Sequence, residues 1–120
     1  MIQSEAIITS PGYPNTDYPK DLNCEKVIRF NERIPIRIEF LGDFQMYDYR
    51  DCYYDFIEIR NGEDKDAPFI LKACGNEKPQ QQTLLGNSVW MRFESFYERK
   101  GFSIQISKLT STEGNYYTYT

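Results

Sequence analysis

Asp55 is the residue whose setting most clearly asks for chemistry. It stands in Asp51-Cys52-Tyr53-Tyr54-Asp55-Phe56-Ile57-Glu58-Ile59-Arg60-Asn61-Gly62, where a cysteine is followed three residues later by a carboxylate. An alternating stretch then runs to an Asn-Gly turn signal. Tyr53, Asp55, Ile57 and Ile59 share one parity; Tyr54, Phe56, Glu58 and Arg60 share the other. A period of two predicts a half-buried strand. On that reading Asp55 lies on the line of the buried Ile57 and Ile59, at the end where the strand emerges. A carboxylate there needs a cation, a set of N–H donors or water.

Other chemistry finds little support. The chain has no histidine, so neither a Ser-His-Asp nor a Cys-His pair can be assembled. Asp48, Asp51, Asp55 and Glu58 supply carboxylates of the type glycosidases use. The same four are as readily turn and surface residues, and no Gly-rich phosphate loop accompanies them. No enzyme is expected. The three cysteines, Cys24, Cys52 and Cys74, form no C-x-x-C pair, which leaves zinc without its usual ligand set. A disulfide reading fits better. Cys52 precedes one strand and Cys74 follows another, with Asn61-Gly62 between them, so pairing across neighbouring strands is expected. Cys24 is then left over, either with a partner upstream or as a buried free thiol.

A chain of 120 residues is one domain with room for a modest core. The net charge of −4 gives no electrostatic case for nucleic acid or an anionic membrane. No apolar run nears the roughly 18 residues of a membrane span. The first residues, Met1-Ile2-Gln3-Ser4-Glu5, lack the charged and apolar regions of a signal peptide. An excised domain or mature fragment is the expectation.

Short strands with turn signals between them must position these groups. Ala6-Ile7-Ile8-Thr9 is short and apolar. Ser10-Pro11-Gly12-Tyr13-Pro14-Asn15 excludes a helix. Cys24 to Phe30 alternates, with Cys24, Ile28 and Phe30 on one face and Lys26 awkwardly among them. Ile34 to Phe40 alternates cleanly, and Pro35 marks its start as an edge or unpaired. Gly42 to Asp51 reads as a long loop. Tyr53–Arg60, Phe69–Cys74, Thr83–Leu85, Val89–Phe93 and Phe102–Ile106 read as further strands, with a turn at Gly86-Asn87. The fold class is therefore all-β, an antiparallel β-sandwich of about eight short strands. Residues 1–108 form the sandwich; residues 109–120, polar apart from Tyr116, Tyr117 and Tyr119, read as a linker or tail.

From about Ile7 to Ile106 the sequence resembles the CUB domain, an extracellular β-sandwich module of jelly-roll type. The resemblance rests on Ser10-Pro11-Gly12-Tyr13-Pro14-Asn15 with Tyr18-Pro19, Cys24 before a strand, and Phe44. It continues through Cys52-Tyr53-Tyr54-Asp55 leading into Ile57–Gly62, then Cys74-Gly75 with Pro79, Gly86-Asn87, Phe93-Glu94-Ser95 and Gly101-Phe102. It implies a non-catalytic protein-interaction module of a secreted protein or an ectodomain. It also implies two consecutive disulfides, of which Cys52–Cys74 would be the second; the first lacks its upstream cysteine here. Lys26 stands where many members carry a tryptophan.

Many CUB domains bind calcium at one end through three carboxylates. Carried over singly, one falls on Asp55 and is retained, one falls on Tyr47 with Asp48 beside it, and one falls on Phe96. Calcium takes six to eight oxygens, so no strong site is expected and no cofactor is assigned. Asp48 or Glu98 could substitute only by a loop shift. The expected binding residues are instead Tyr47, Asp48, Tyr49, Arg50 and Asp55 together with Phe96, Tyr97 and Arg99. Tyr, Phe and Arg in exposed loops are the types that anchor interfaces. Trp90, opposite in parity to Val89, Met91 and Phe93, faces outward if those three face the core; it is then a second candidate anchor, or else part of a small outer-face cluster covered by Arg or Tyr neighbours. The expected partner is an extracellular protein or a neighbouring domain, with a homodimer as one form. Glycan binding and calcium-dependent ligand binding are the alternatives. Loss of a metal cross-link would leave the loops at the Asp55 end mobile.

Overall fold

The computed structural model describes residues 5–109. Six strands run in the order β1 (Glu5–Thr9), β2 (Leu22–Gln45), β3 (Phe56–Arg60), β4 (Phe69–Ala73), β5 (Gln82–Ser95) and β6 (Gly101–Lys108), with no helix among the described residues. All pairings are antiparallel, and the strand order is β1-β6-β2-β5-β3-β4.

Two long strands make this order a sandwich. The first part of β2 pairs with the second part of β5, from Leu22↔Ser95 to Arg29↔Ser88. The second part of β2 pairs with the first part of β5, from Ile34↔Gly86 to Ile38↔Gln82, and with β6 from Ile36↔Lys108 to Gln45↔Gly101. One layer thus holds β1, β6, residues 34–45 and residues 82–86. The other holds residues 22–29, residues 88–95, β3 and β4. The expected all-β antiparallel sandwich is the observed fold.

The strand count differs from the sequence reading. Cys24–Phe30 and Ile34–Phe40 are parts of one strand, as are Thr83–Leu85 and Val89–Phe93. Gly86-Asn87 is no turn; it lies where β5 passes from one layer to the other. Four residues of β2 (30–33) oppose one of β5 there, a large bulge that bends both strands. Pro35 sits just after this break, where a missing N–H is tolerated. β2 also runs on to Gln45, past the start of the expected loop.

The alternating residues fill the space between the layers. Ile28, Ile36, Ile38, Phe40, Ile57, Ile59, Val89, Met91, Phe93, Phe102, Ile104 and Ile106 belong to one buried cluster. Phe93 of one layer meets Phe102 of the other edge-to-face, with centroids 5.1 Å apart. Burying such side chains stabilises by about 1.5–3 kcal/mol each. Leu109 is still tied in, its amide donating to the Pro35 carbonyl at 3.0 Å. The rest of the expected tail, residues 110–120, lies outside the described residues.

Candidate functional site

β3 begins at Phe56, so Tyr53-Tyr54-Asp55 is not strand but the end of a turn. Arg50, Asp51 and Cys52 all have left-handed φ (46°, 55° and 63°). The curl rotates the chain before the strand starts. Tyr53 consequently faces solvent, 66% exposed, instead of lying inward with Ile57 and Ile59. Asp55 is fully buried, as its parity requires.

Three donors hold the Asp55 carboxylate. The Tyr18 hydroxyl donates to Oδ2 at 2.6 Å. The Phe96 amide donates to Oδ1 at 2.9 Å, and the Tyr97 amide is shared between Oδ1 (3.3 Å) and Oδ2 (3.4 Å). Tyr18 in turn accepts from the Tyr47 amide at 3.4 Å, and its ring packs edge-on against Phe93 at 5.0 Å. Burial, reinforced by the bond to Asp55, drives the Tyr18 phenol far above the usual tyrosine range. The question posed by Asp55 thus has an answer: hydrogen-bond donors. Tyr18 belongs to the Tyr18-Pro19 motif piece, but nothing local in the sequence ties it to a carboxylate 37 positions on.

Around this buried side chain the rings gather. Tyr49 stacks on Tyr54 (5.0 Å, 26°), and Tyr54 stacks on Phe96 (4.7 Å, 18°). Tyr53 meets Tyr54 edge-on at 5.0 Å, Phe96 meets Tyr97 at 4.9 Å, and Tyr47 lies 4.0 Å from Tyr97. The Arg50 guanidinium caps Tyr49 at 5.4 Å, and that of Arg99 caps Tyr47 at 5.0 Å. The structure therefore brings together Tyr47, Tyr49, Arg50, Asp55, Phe96, Tyr97 and Arg99. It adds Tyr53 and Tyr54, which the strand assignment had hidden. Tyr97 also has its phenol pushed up, by local desolvation first and by the neighbouring tyrosines next.

Further ties close this end. Cys52 and Cys74 are disulfide-bonded, as expected, with Cα atoms 5.5 Å apart. Met46 and Gly75 exchange two backbone hydrogen bonds, at 2.8 and 3.1 Å. Asp48 lies on the Cys74–Gly75 side, its Oδ1 3.6 Å from Cys74 Sγ.

Two expectations fail on burial. Trp90 is no exposed anchor: it is 2% exposed, and its indole N–H donates to Glu25 Oε1 at 3.1 Å. A ring on the outer face of a sheet can be covered by cross-strand neighbours; Val27 and Arg60 stand beside Trp90 in register. Cys24 is a free thiol but exposed, not buried. It lines the rim of a gap of about 140 Å³ between β1 and the first part of β2, with Lys26 beside it. Its parity points it toward the core, but there the core is open.

The residues do not fit a calcium ion well. The Asp55 oxygens already accept three donors, and Tyr47 and Phe96 bring rings where the resemblance asks for carboxylates. Among the described residues no three of His, Cys, Asp and Glu cluster as ligands.

Comparison with known proteins agrees with the architecture. The family model "CUB domain" matches residues 1–106. Neuropilin-2 of the rat is 42% identical over 100 residues, 82% of this chain but 11% of neuropilin-2, so the chain spans about a tenth of that relative. The MASP-1 CUB2 domain, solved bound to Ca2+, is 29% identical with a TM-score of 0.72, covering 86% of this chain and 91% of that one. The full extracellular region of zebrafish Gpr126/Adgrg6 is 27% identical with a TM-score of 0.74, covering 91% of this chain and 14% of that one. The disulfide agrees with the extracellular setting these relatives share. The chain belongs to the CUB domain family.

Proposed function

We propose that this domain is a protein-binding module of a larger extracellular protein, and that it binds through the aromatic end built around Asp55. One observation carries the reading: of the seven large hydrophobic residues exposed among the described residues, Tyr49, Tyr53, Phe96 and Tyr97 lie together at this end. A concentrated exposed apolar patch marks an interaction site, whereas scattered ones need no explanation. Ile7, Phe69 and Leu85 are scattered over other strands.

The ring geometry favours a protein over a glycan. A sugar lies flat on a free ring face. Here Tyr54 stacks on both Tyr49 and Phe96, and the Arg50 guanidinium lies over the Tyr49 ring, so these faces are already occupied. Edges, hydroxyls and guanidinium groups suit the core of a protein interface. The partner is a neighbouring domain, a separate extracellular protein or a second copy of the chain.

The test is a binding screen of the domain, as an Fc fusion, against a panel of extracellular proteins, followed by variants. Tyr53→Ala and Phe96→Ala are expected to weaken binding to a confirmed hit by about 2 kcal/mol or more if they are central anchors. Phe69→Ala, on the edge strand β4, is the control. If the two end variants fold and bind like wild type while Phe69→Ala fails, the site lies on the sheet and the reading is wrong.

A further inference from the structure

We propose that the Cys52–Cys74 bridge is a redox latch on the aromatic end. Its reduction releases the turn at residues 50–52 and takes the ring cluster apart, while the sandwich stays folded. The inference rests on the functional reading above and adds regulation of the same surface.

Three observations support a local latch over a general brace. First, the bridge joins loops, not core strands: Cys52 precedes β3, Cys74 follows β4, and both are partly exposed to a reductant. Second, the turn it holds is conformationally costly. Arg50, Asp51 and Cys52 are consecutive non-glycine residues at left-handed φ. Such residues persist only where their surroundings over-determine them. The turn itself is closed by one backbone bond, from the Tyr53 amide to the Tyr49 carbonyl at 2.9 Å. Third, the cluster straddles this turn. Tyr49 precedes it, Tyr53 and Tyr54 follow it, and Tyr54 joins Tyr49 to Phe96. Letting the three residues relax separates Tyr49 from Tyr54.

The rearrangement has fixed limits. On one side the Met46–Gly75 bonds hold the end of β2. On the other, Asp55 stays anchored by Tyr18, Phe96 and Tyr97. The Tyr47 amide is tied to Tyr18 as well, so residues 48–54 are the ones released.

The chemistry is thiol–disulfide exchange with an extracellular dithiol reductant. Its thiolate attacks one bridge sulfur and expels the other as thiolate. The reductant's second thiol then attacks the mixed disulfide. Two electrons pass to the bridge, Cys52 and Cys74 end as thiols after protonation, and the reductant ends as its own disulfide.

Dithiothreitol at native temperature serves as the probe, with bridge opening verified by alkylation and mass. Near-ultraviolet circular dichroism reads the tyrosine packing, and amide exchange reads the backbone. The expected result is loss of at least half of the tyrosine signal, with protection lost in residues 48–54 and kept in β2, β5 and β6. Cys52→Ser combined with Cys74→Ser should reproduce it without reductant. Asp51→Gly removes the left-handed penalty at that position, so its reduced form should retain more signal than reduced wild type. A bridge that resists native reduction, an unchanged tyrosine signal once it is open, or loss of protection throughout the strands would each overturn the latch. None of these readouts uses a binding partner, so failure of the functional reading would show separately, as end variants that bind like wild type.

Discussion

Replacing Tyr18 by Phe isolates the bond on which the Asp55 end depends. The ring survives the change, so its edge contact with Phe93 and its place in the core are kept. Only the hydroxyl goes. With it goes the shortest of the carboxylate's bonds, 2.6 Å, and the acceptor of the Tyr47 amide. Oδ2 is left with only the shared Tyr97 amide at 3.4 Å. Tyr18 and Asp55 are both fully buried, so water does not simply take the hydroxyl's place. A hydrogen bond to a charged group contributes about 1.5–3 kcal/mol, and leaving the partner buried places the loss toward the upper end. The expected destabilisation is about 2–3 kcal/mol by urea titration, or roughly 10 °C in Tm for a domain of this size. The pH dependence supplies a second readout. The native phenol titrates above the ordinary value of 10.0, because burial and Asp55 favour its neutral form. Its stabilising effect is fully present below that value and is lost as pH rises from there toward the native pKa. Wild type should therefore lose stability above about pH 10, and Tyr18→Phe should lose less over the same window. A loss below about 1 kcal/mol, with an unchanged alkaline profile, would refute the assignment of Tyr18 as the clamp.

The remaining expectations are brief. Trp90→Phe should cost about 1–2 kcal/mol through the lost bond to Glu25 and reduced packing, and equilibrium unfolding checks it; binding to a confirmed partner should be unaffected. Millimolar calcium should leave Tm unchanged, since a ligand of the native state would raise it by mass action, and an increase that EDTA reverses would show that Asp55 recruits further ligands. Cys24→Ser should leave stability within about 0.5 kcal/mol, as for most exposed positions, and should abolish any disulfide-linked dimer formed in air on a non-reducing gel.

The periodic parts of the fold were readable because period-two alternation survives wherever one face is buried. Ile34, Ile36, Ile38 and Phe40, and likewise Val89, Met91 and Phe93, are inward as their spacing demands. Continuity was not readable. Gly86-Asn87 looks like a turn, and only its partner strand shows that β5 passes straight through and changes layer. The site divided in the same way. Asp55 could be found from parity alone, and Cys52 with Cys74 from their places at strand ends. Tyr53 and Tyr54 were missed because the strand was extended three residues too far, up to a left-handed turn made of non-glycine residues. Nothing in Arg50-Asp51-Cys52 announces that conformation. For Trp90, parity left two readings open, because it says which sheet face a residue occupies and not whether neighbours cover it; the covered one holds. Glu25, 65 positions away in sequence, is one such neighbour.

The loops at this end were expected to be mobile without a metal to cross-link them, and the geometry supplies other cross-links. Asp55 ties the 96–97 backbone to Tyr18, and Tyr18 ties on to the Tyr47 amide. The bridge holds the turn before β3 to the end of β4, and Met46–Gly75 holds the end of β2 to the same place. The rings then fill the space between the two loops, Tyr54 reaching from one to Phe96 of the other. Tyr47 and Phe96 are thus more than missing carboxylates. At the positions where the calcium-site resemblance asks for ligands, they provide packing that holds the loops together. On the proposed reading, a surface organised in this way presents its exposed aromatic residues already in place. Fewer side chains and less backbone then remain to be ordered on association, at about 0.5–1.5 kcal/mol for each side chain that would otherwise be immobilised. The same economy is why opening one partly exposed disulfide would reach the whole patch on the proposed latch: the rings order one another, and the turn at 50–52 keeps Tyr49 within reach of Tyr54.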